Sequence, residues 1–208
     1  MQTGKFITIE GAEGVGKSTN IQHIQNWLSA RHIPFILTRE PGGTELGEQL
    51  RELLLHGGQI ADKTELLLMF AARAQHLEEK IKPALAAGTW VICDRFTDST
   101  FAYQGGGRQL NLQWLNALEN LVQETLQPDI TFLLDAPVEV GMARAKSRNG
   151  RSDRIEAESM AFFERVRAGF LQRAALHPAR FRIINAAEPL PLVQAEIDNV
   201  LVGLCPTV

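Results

Sequence analysis

A glycine, four intervening residues, a second glycine, a lysine and a serine make the most chemically loaded stretch of this chain, Gly11-Ala12-Glu13-Gly14-Val15-Gly16-Lys17-Ser18-Thr19. The spacing fits G-x-x-x-x-G-K-[ST], and it follows a strand-like run and opens a helix-like one, the context that gives the pattern meaning. Glycines let backbone N–H groups curl around phosphate oxygens with no Cβ in the way. A helix N-terminus adds partial positive charge. Lys17 would neutralise the β and γ phosphates of a nucleotide, and Ser18 would offer its hydroxyl to Mg²⁺. One residue of the nine resists this reading. Glu13 is an acid where every charge argument asks for neutral or positive.

Other charged groups sit where such a loop needs company. The segment Cys93–Arg108, "CDRFTDSTFAYQGGGR", follows a strand-like run, and functional groups of open α/β sheets gather at the carboxyl ends of strands. There Asp94 can orient a Mg²⁺-bound water and Arg95 can bridge two phosphates; a structural ion pair explains the same two residues as well. "TREPGGT", 38–44, puts Glu40 in a second charged turn at the same edge. In "LLLMFAARAQHL", 66–77, Arg73 lies one helical turn after Met69 and Phe70. An aromatic there can stack on a base while the arginine donates to a base carbonyl, although a core aromatic beside a surface arginine has the same pattern. Arg144, Lys146, Arg148, Arg151 and Arg154 make the segment 144–156 cationic. As a flap it could close its charge over a transferred phosphate. Neither D-x-x-G nor N-K-x-D occurs in the chain, which speaks against a GTPase switch. None of the histidines falls in a motif; each reads as surface or core.

These residues need a scaffold, and the apolar pattern supplies one. Five nearly continuous apolar runs, 6–10, 35–39, 90–94, 130–135 and 181–185, suit strands buried on both faces of a parallel sheet. Helix-spaced apolar positions occupy 17–31, 44–55, 64–87, 113–126, 137–147, 157–176 and 189–202. Strand then helix, repeated, predicts a three-layer α/β/α P-loop NTPase fold: a five-stranded parallel sheet flanked by helices, one domain over 1–208 with a short mobile lid at about 144–156. The 208 residues hold 45% hydrophobic and 22% charged residues with a net charge of −3. That balance argues against a bulk electrostatic grip on a nucleic-acid polymer. Two distant cysteines, Cys93 and Cys205, make neither a disulfide framework nor a zinc spacing. A reducing cytoplasm is the expected home, with no cleavable leader at the N-terminus and no apolar run near the ~20 residues of a membrane helix.

The phosphate loop, "TREPGGT", "LLLMFAAR", "CDRFTDSTFAYQGGGR" and "DRIE" occur in that order along the whole chain. Together they closely resemble the bacterial thymidylate kinases of the P-loop nucleoside monophosphate kinase family. The resemblance implies ATP-dependent phosphorylation of dTMP to dTDP, Mg²⁺ dependence and a homodimer. It implies that residues 11–19 bind ATP and that Ser18 and Asp94 attend the metal. Lys17, Arg95, Arg148 and Arg154 form the catalytic set, with Arg148 favoured over Arg151 and Arg154 as the lid arginine on the transferred phosphate. Phe70 and Arg73 would face thymine. Met69 occupies the place where many relatives carry the stacking aromatic, so Met69 and Phe70 both stand as covers for the base. Thr100 would bond the base edge and Tyr103 crowd the sugar 2′ position. Arg95, Arg51 and Gln104 would hold the acceptor phosphate or base rim, with Glu40 among the substrate-binding residues. The resemblance also supports an answer for Glu13: with phosphates held by backbone N–H groups, its side chain can reach the acceptor and take a hydrogen bond from the sugar 3′-hydroxyl. Two rivals remain. A deoxynucleoside kinase has a neutral hydroxyl acceptor and needs a base, for which Glu40 is available. A regulatory switch ATPase would hydrolyse slowly and answer to a protein partner.

Overall fold

A computed structural model describes residues 4–146 and 154–205. Its five strands are β1 (Phe6–Glu10), β2 (Phe35–Arg39), β3 (Trp90–Asp94), β4 (Ile130–Asp135) and β5 (Phe181–Asn185). They lie parallel in the order β2-β3-β1-β4-β5. The three inner strands are buried almost throughout, and the two edge strands are not. For the inner three strands the continuous apolar runs therefore have the cause assigned to them, a sheet covered on both faces.

Helices cover the sheet. They are α1 (Lys17–Ser29), α2 (Glu45–His56), α3 (Asp62–His76), α4 (Lys82–Ala86), α5 (Thr97–Thr100), α6 (Leu112–Gln123), α7 (Val138–Lys146), α8 (Met160–Leu176) and α9 (Leu190–Leu204). On one face α1 and α9 bury Ile24, Leu28, Ile197 and Leu201 against Ile7, Ile9, Ile92 and Phe132. On the other, α8 buries Phe163, Val166 and Phe170 near Leu133 and Phe181, and Phe96, Leu77 and Ile81 pack on Phe6, Val91 and Cys93. The result is the three-layer α/β/α arrangement.

The helical pattern of 64–87 is one run in sequence but not in structure. α3 passes through a π-helical turn, Leu77–Ile81, into α4. Pro83 sits at the start of α4, where its missing N–H is tolerated.

A larger difference lies at 97–107. The stretch after β3 is helical: α5 continues into a π-helical segment, Phe101–Gly107. Three glycines in a row suggest a loop, because glycine is costly in a helix. Here tertiary packing prevails. A Cβ on Gly106 would lie 2.7 Å from the Arg165 carbonyl oxygen, and one on Gly107 would lie 2.5 Å from the Phe162 ring. α8 approaches too closely for any side chain at these positions. Of the cationic segment, α7 carries Arg144 and Lys146, and Arg154 begins the next described stretch; Arg148 and Arg151 lie outside the described residues.

Candidate active site

A cavity of about 220 Å³ opens at the carboxyl ends of β1, β2 and β3. One end is the phosphate loop. Gly16 caps α1 at φ 88°, no side chain among the described residues caps the helix, and no acid stands in its first turn. The first-turn N–H groups are thus available to an anion. Gly14, at φ 71°, is seated on α7 so tightly that a Cβ would lie 1.8 Å from the Gly141 carbonyl oxygen. Lys17 Nζ donates to the carbonyls of Gly11 (3.2 Å) and Ala12 (3.0 Å). Burial, with Arg95 adding to it, draws the Lys17 pKa down to about 8.

Arg95 crosses from β3 to this loop. Its backbone is left-handed, φ 66°. Nη1 donates to Gly11 O (2.8 Å) and Ser99 Oγ (3.2 Å), and Nη2 to Glu13 Oε1 (2.7 Å). Burial works against its charge, but Tyr103, Glu13 and Asp94 outweigh burial and hold the guanidinium pKa above its ordinary value. Tyr103 Oη donates to the same Glu13 oxygen at 2.9 Å. Glu13 therefore turns away from the phosphate cradle, toward the arginine and tyrosine of the cavity wall. Arg51, from α2, lines the cavity and donates to Pro41 O at 2.9 Å. Burial, followed by the charge of Arg39, lowers its pKa. Lys17, Arg51 and Arg95 thus make a cluster of buried or half-buried cations whose charges oppose one another, a receptor for an anion.

The other end of the cavity is built for a polar edge. Arg73 is 2% exposed. Its Nε donates to Glu40 Oε2 (2.7 Å) and its Nη2 to Thr100 Oγ1 (3.0 Å). Its Nη1 is buried with no hydrogen-bond partner among the described residues. Glu40 gives its second oxygen to His76 Nδ1 at 2.9 Å. Gln104 Nε2 donates to Glu65 Oε1 at 2.7 Å. Glu65 also takes Arg154 Nη2; burial pushes its pKa up, but Gln104, Arg154 and Arg108 bring it below the usual carboxylate value.

Phe70 and Arg154 stand elsewhere than the sequence suggests. Phe70 does not line the cavity; it is buried with Leu66, Phe101 and Leu115. Its ring lies under Arg73, 4.8 Å from the guanidinium carbon, so it supports the arginine and Met69 alone of the two faces the cavity. Arg154 spends its guanidinium on Glu65 and the Leu54 carbonyl and is not in the cavity wall, where Ile155 and Glu156 stand instead. A buried carboxylate needs a cation, and Arg154 supplies it. Of the nine loop residues, Ala12 and Val15 have side chains in the core; only their backbone is available to a ligand.

Some residues of the wall were not among the candidates read from the sequence. Ser99, Phe96 and Leu55 line it. Behind it Glu10, the last residue of β1, is fully buried. It accepts from Phe96 N–H (2.7 Å) and the Ser99 hydroxyl (2.5 Å), and burial, with Asp98 nearby, pushes its pKa to about 8. An acid ending a nearly continuous apolar strand run was a visible clue. His76, three residues after Arg73, was another.

A family model described as thymidylate kinase matches residues 9–197. The chain is 58% identical over 201 residues to the thymidylate kinase of Pseudomonas fluorescens, covering 96% of this chain and 95% of that one. It is 56% identical over 201 residues to that of Teredinibacter turnerae, covering 96% and 98%. The crystal structure of thymidylate kinase from Ehrlichia chaffeensis superposes with a TM-score of 0.80 at 36% identity, over 96% of this chain and 99% of that chain.

Proposed function

This chain belongs to the thymidylate kinase family, and from that premise we propose how its residues do the work. The enzyme is a nucleoside monophosphate kinase that transfers the γ-phosphate of ATP to dTMP, giving dTDP. The acceptor is a phosphate monoester with a second pKa near ~6, already ionised at neutral pH. No general base is required; the protein positions two anions and neutralises charge. A deoxynucleoside kinase would ask Glu40 to take a proton, but both Glu40 oxygens are occupied, by Arg73 and His76.

The loop 11–19 wraps the ATP phosphates, with Lys17 on the β and γ groups. Arg95 and Arg51 take the dTMP phosphate. Glu13 accepts from the sugar 3′-hydroxyl while Arg95 and Tyr103 hold its carboxylate in place. Met69 covers the base, Thr100 and Gln104 rim it, and Arg73 donates to it. Mg²⁺ fits this set: Asp94 carries a buried Oδ1 that takes no hydrogen bond among the described residues, and Ser18 lines the same cavity. Among the described residues no group of three acidic, histidine or cysteine side chains is placed to hold a metal ion, so the ion would rest on Asp94, Ser18 and the nucleotide's own oxygens. When bound it neutralises phosphate charge. The catalytic set is Lys17, Arg95 and a lid arginine, Arg148, from the segment 144–156 that closes on a single kinase domain.

We also propose a homodimer in the cytoplasm. Leu53 of α2, Leu67 of α3, and Trp114 and Leu121 of α6 are exposed apolar side chains on three adjoining helices. Both cysteines are free, as a reducing compartment leaves them. Among the described residues no helix is long and apolar enough to cross a membrane.

The observation that carries the reading is Arg73, in the wall of a cavity that ends in three cations, whose Nη1 is a buried donor without a partner among the described residues. A buried donor left unpaired costs about 1–3 kcal/mol, and a thymine carbonyl satisfies it where the cytosine amino group cannot. Coupled ADP release with dTMP, dUMP, dCMP and thymidine tests this. dTMP should be the best substrate and dUMP a weaker one, lacking a methyl contact worth about 1 kcal/mol. dCMP and thymidine should be nearly inert. Equal turnover of dTMP and dCMP would refute the base-edge reading.

A further inference from the structure

Arg73 and Thr100, which meet the base in the reading above, are the near end of a longer buried chain of polar side chains whose other members that reading does not use. Thr38 Oγ1 lies 2.6 Å from His76 Nε2. His76 Nδ1 lies 2.9 Å from Glu40 Oε1, and Glu40 Oε2 accepts from Arg73 Nε at 2.7 Å. Arg73 Nη2 then donates to Thr100 Oγ1 at 3.0 Å. The chain links β2, the turn after it, α3 and α5. None of its five members is more than 5% exposed, and His76 is at 0%.

The turn is shaped around this chain. Gly43 has φ +82°, and a Cβ there would lie 2.4 Å from His76 Nε2 and 2.6 Å from Thr38 Oγ1. Any side chain at that position would displace the histidine–threonine contact. Lys80 Nζ donates to the Gly43 carbonyl at 3.1 Å and holds the glycine from outside.

We propose that His76 is a positioning residue for base selection: it fixes the Glu40 carboxylate, which in turn fixes the in-plane rotation of the Arg73 guanidinium and aims Nη1 at the base. This rests on the reading of Arg73 given above. A carboxylate held by one donor can rotate about its last bond; held from both sides it cannot. With a proton on Nδ1, His76 donates to Glu40 and accepts the Thr38 hydroxyl at Nε2, so both ring nitrogens are satisfied. Arg73 is then gripped at Nε and Nη2, and only Nη1 remains for ligand. Phe70 and Phe96 flank the guanidinium at 4.8 and 5.2 Å, which limits tilt but not rotation in its own plane. His76 sets that rotation.

The test compares His76→Leu, which removes both ring contacts, with His76→Asn, whose amide can still donate to Glu40. Thr38→Val removes only the far contact. Steady-state kinetics are measured with dTMP, dCMP and ATP, beside thermal melting. His76→Leu should raise KM for dTMP by roughly tenfold or more and narrow the preference for dTMP over dCMP. kcat with dTMP and KM for ATP should stay close to wild type. His76→Asn should recover much of the loss, and Thr38→Val should fall between Asn and wild type. In an Arg73→Met background, His76→Leu should leave the dTMP-to-dCMP preference unchanged, since its effect passes through Arg73. Parallel rises in KM for dTMP and ATP, or an undiminished effect on preference in that background, would overturn the proposal. If His76→Leu does not fold, His76→Asn and Thr38→Val carry the same comparison, and wild-type preference in both overturns it. Arg73→Met alone separates the two readings. If it leaves the dTMP-to-dCMP preference intact, the base-edge reading itself fails; if it collapses the preference while the His76 and Thr38 variants do not, only the positioning role fails.

Discussion

Lys17 concentrates the chemistry of the phosphate loop in one titratable group. Its pKa is drawn down to about 8, from an ordinary 10.5. Phosphates that pair with the ammonium would raise that pKa again. Binding of ATP therefore favours the protonated form, so affinity is full below pH 8 and falls as pH rises through about 8. Titrating ATP binding between neutral and alkaline pH checks this; an unchanged Kd across that range would place the phosphates elsewhere. Lys17→Ala should abolish phosphoryl transfer and leave the fold, because it removes charge and no core volume. Glu13 needs a more careful test, because its carboxylate also holds Arg95 and Tyr103. Glu13→Gln should cost dTMP use about 1.5–3 kcal/mol, the range for a hydrogen bond to a charged group, with ATP affinity little changed. Part of that loss belongs to Arg95. A double cycle with dTMP and its 3′-deoxy analogue isolates the sugar contact. A coupling energy near zero would make Glu13 a holder of Arg95 and nothing more.

At the scale of elements, the helix that carries Ser99, Thr100 and Tyr103 depends on one buried acid. Asp98, at 0% exposure, accepts from Arg173 Nε (2.9 Å) on α8 and from Arg180 Nη1 (2.6 Å) and Nη2 (2.8 Å) beside β5. Arg173 also reaches Glu119 on α6 at 2.9 Å. Burial alone would raise the Asp98 pKa, but the Arg180 hydrogen bond and both cations bring it below the ordinary value. Its stabilising effect is thus present above the unfolded carboxylate pKa and is lost as pH falls through the folded one. Asp98→Asn leaves Arg180 buried without its carboxylate and Arg173 with Glu119 alone. A loss of about 3–5 kcal/mol is expected, read from urea unfolding. A loss under ~1 kcal/mol would mean that Glu119 and water suffice. The phosphate loop and "TREPGGT" were legible because their chemistry is local: glycine, cation and hydroxyl are contiguous. The 97–107 helix was not, because GGG is helical only where α8 leaves no room for side chains.

For the whole molecule, the apolar side chains left on α2, α3 and α6 mark the proposed subunit contact. Leu121 is 75% exposed, so Leu121→Lys should change monomer stability by no more than about 0.5 kcal/mol. In a homodimer it would place a charge in an apolar contact. Sedimentation equilibrium should show wild type as a dimer and the variant as monomer; identical masses would remove this face from the assembly. The strand runs read from sequence coincide with all five strands of the sheet, since continuous apolar runs between helix-spaced segments leave few alternatives.

Sequence alone determined the parallel α/β/α scaffold, the phosphate loop and the set of cations near it, because backbone state and contiguous motifs follow from local pattern. Tertiary structure decided the pairings. Met69 and Phe70 differ by one position, about 100° around a helix, and only the packing of α3 tells which faces the cavity. Glu13 meets Arg95 and Tyr103, Glu40 meets Arg73 and His76, and Arg154 meets Glu65, across separations of 33 to 90 residues. A buried charge takes whatever partner the fold brings within reach, and no spacing in the chain records which one that is.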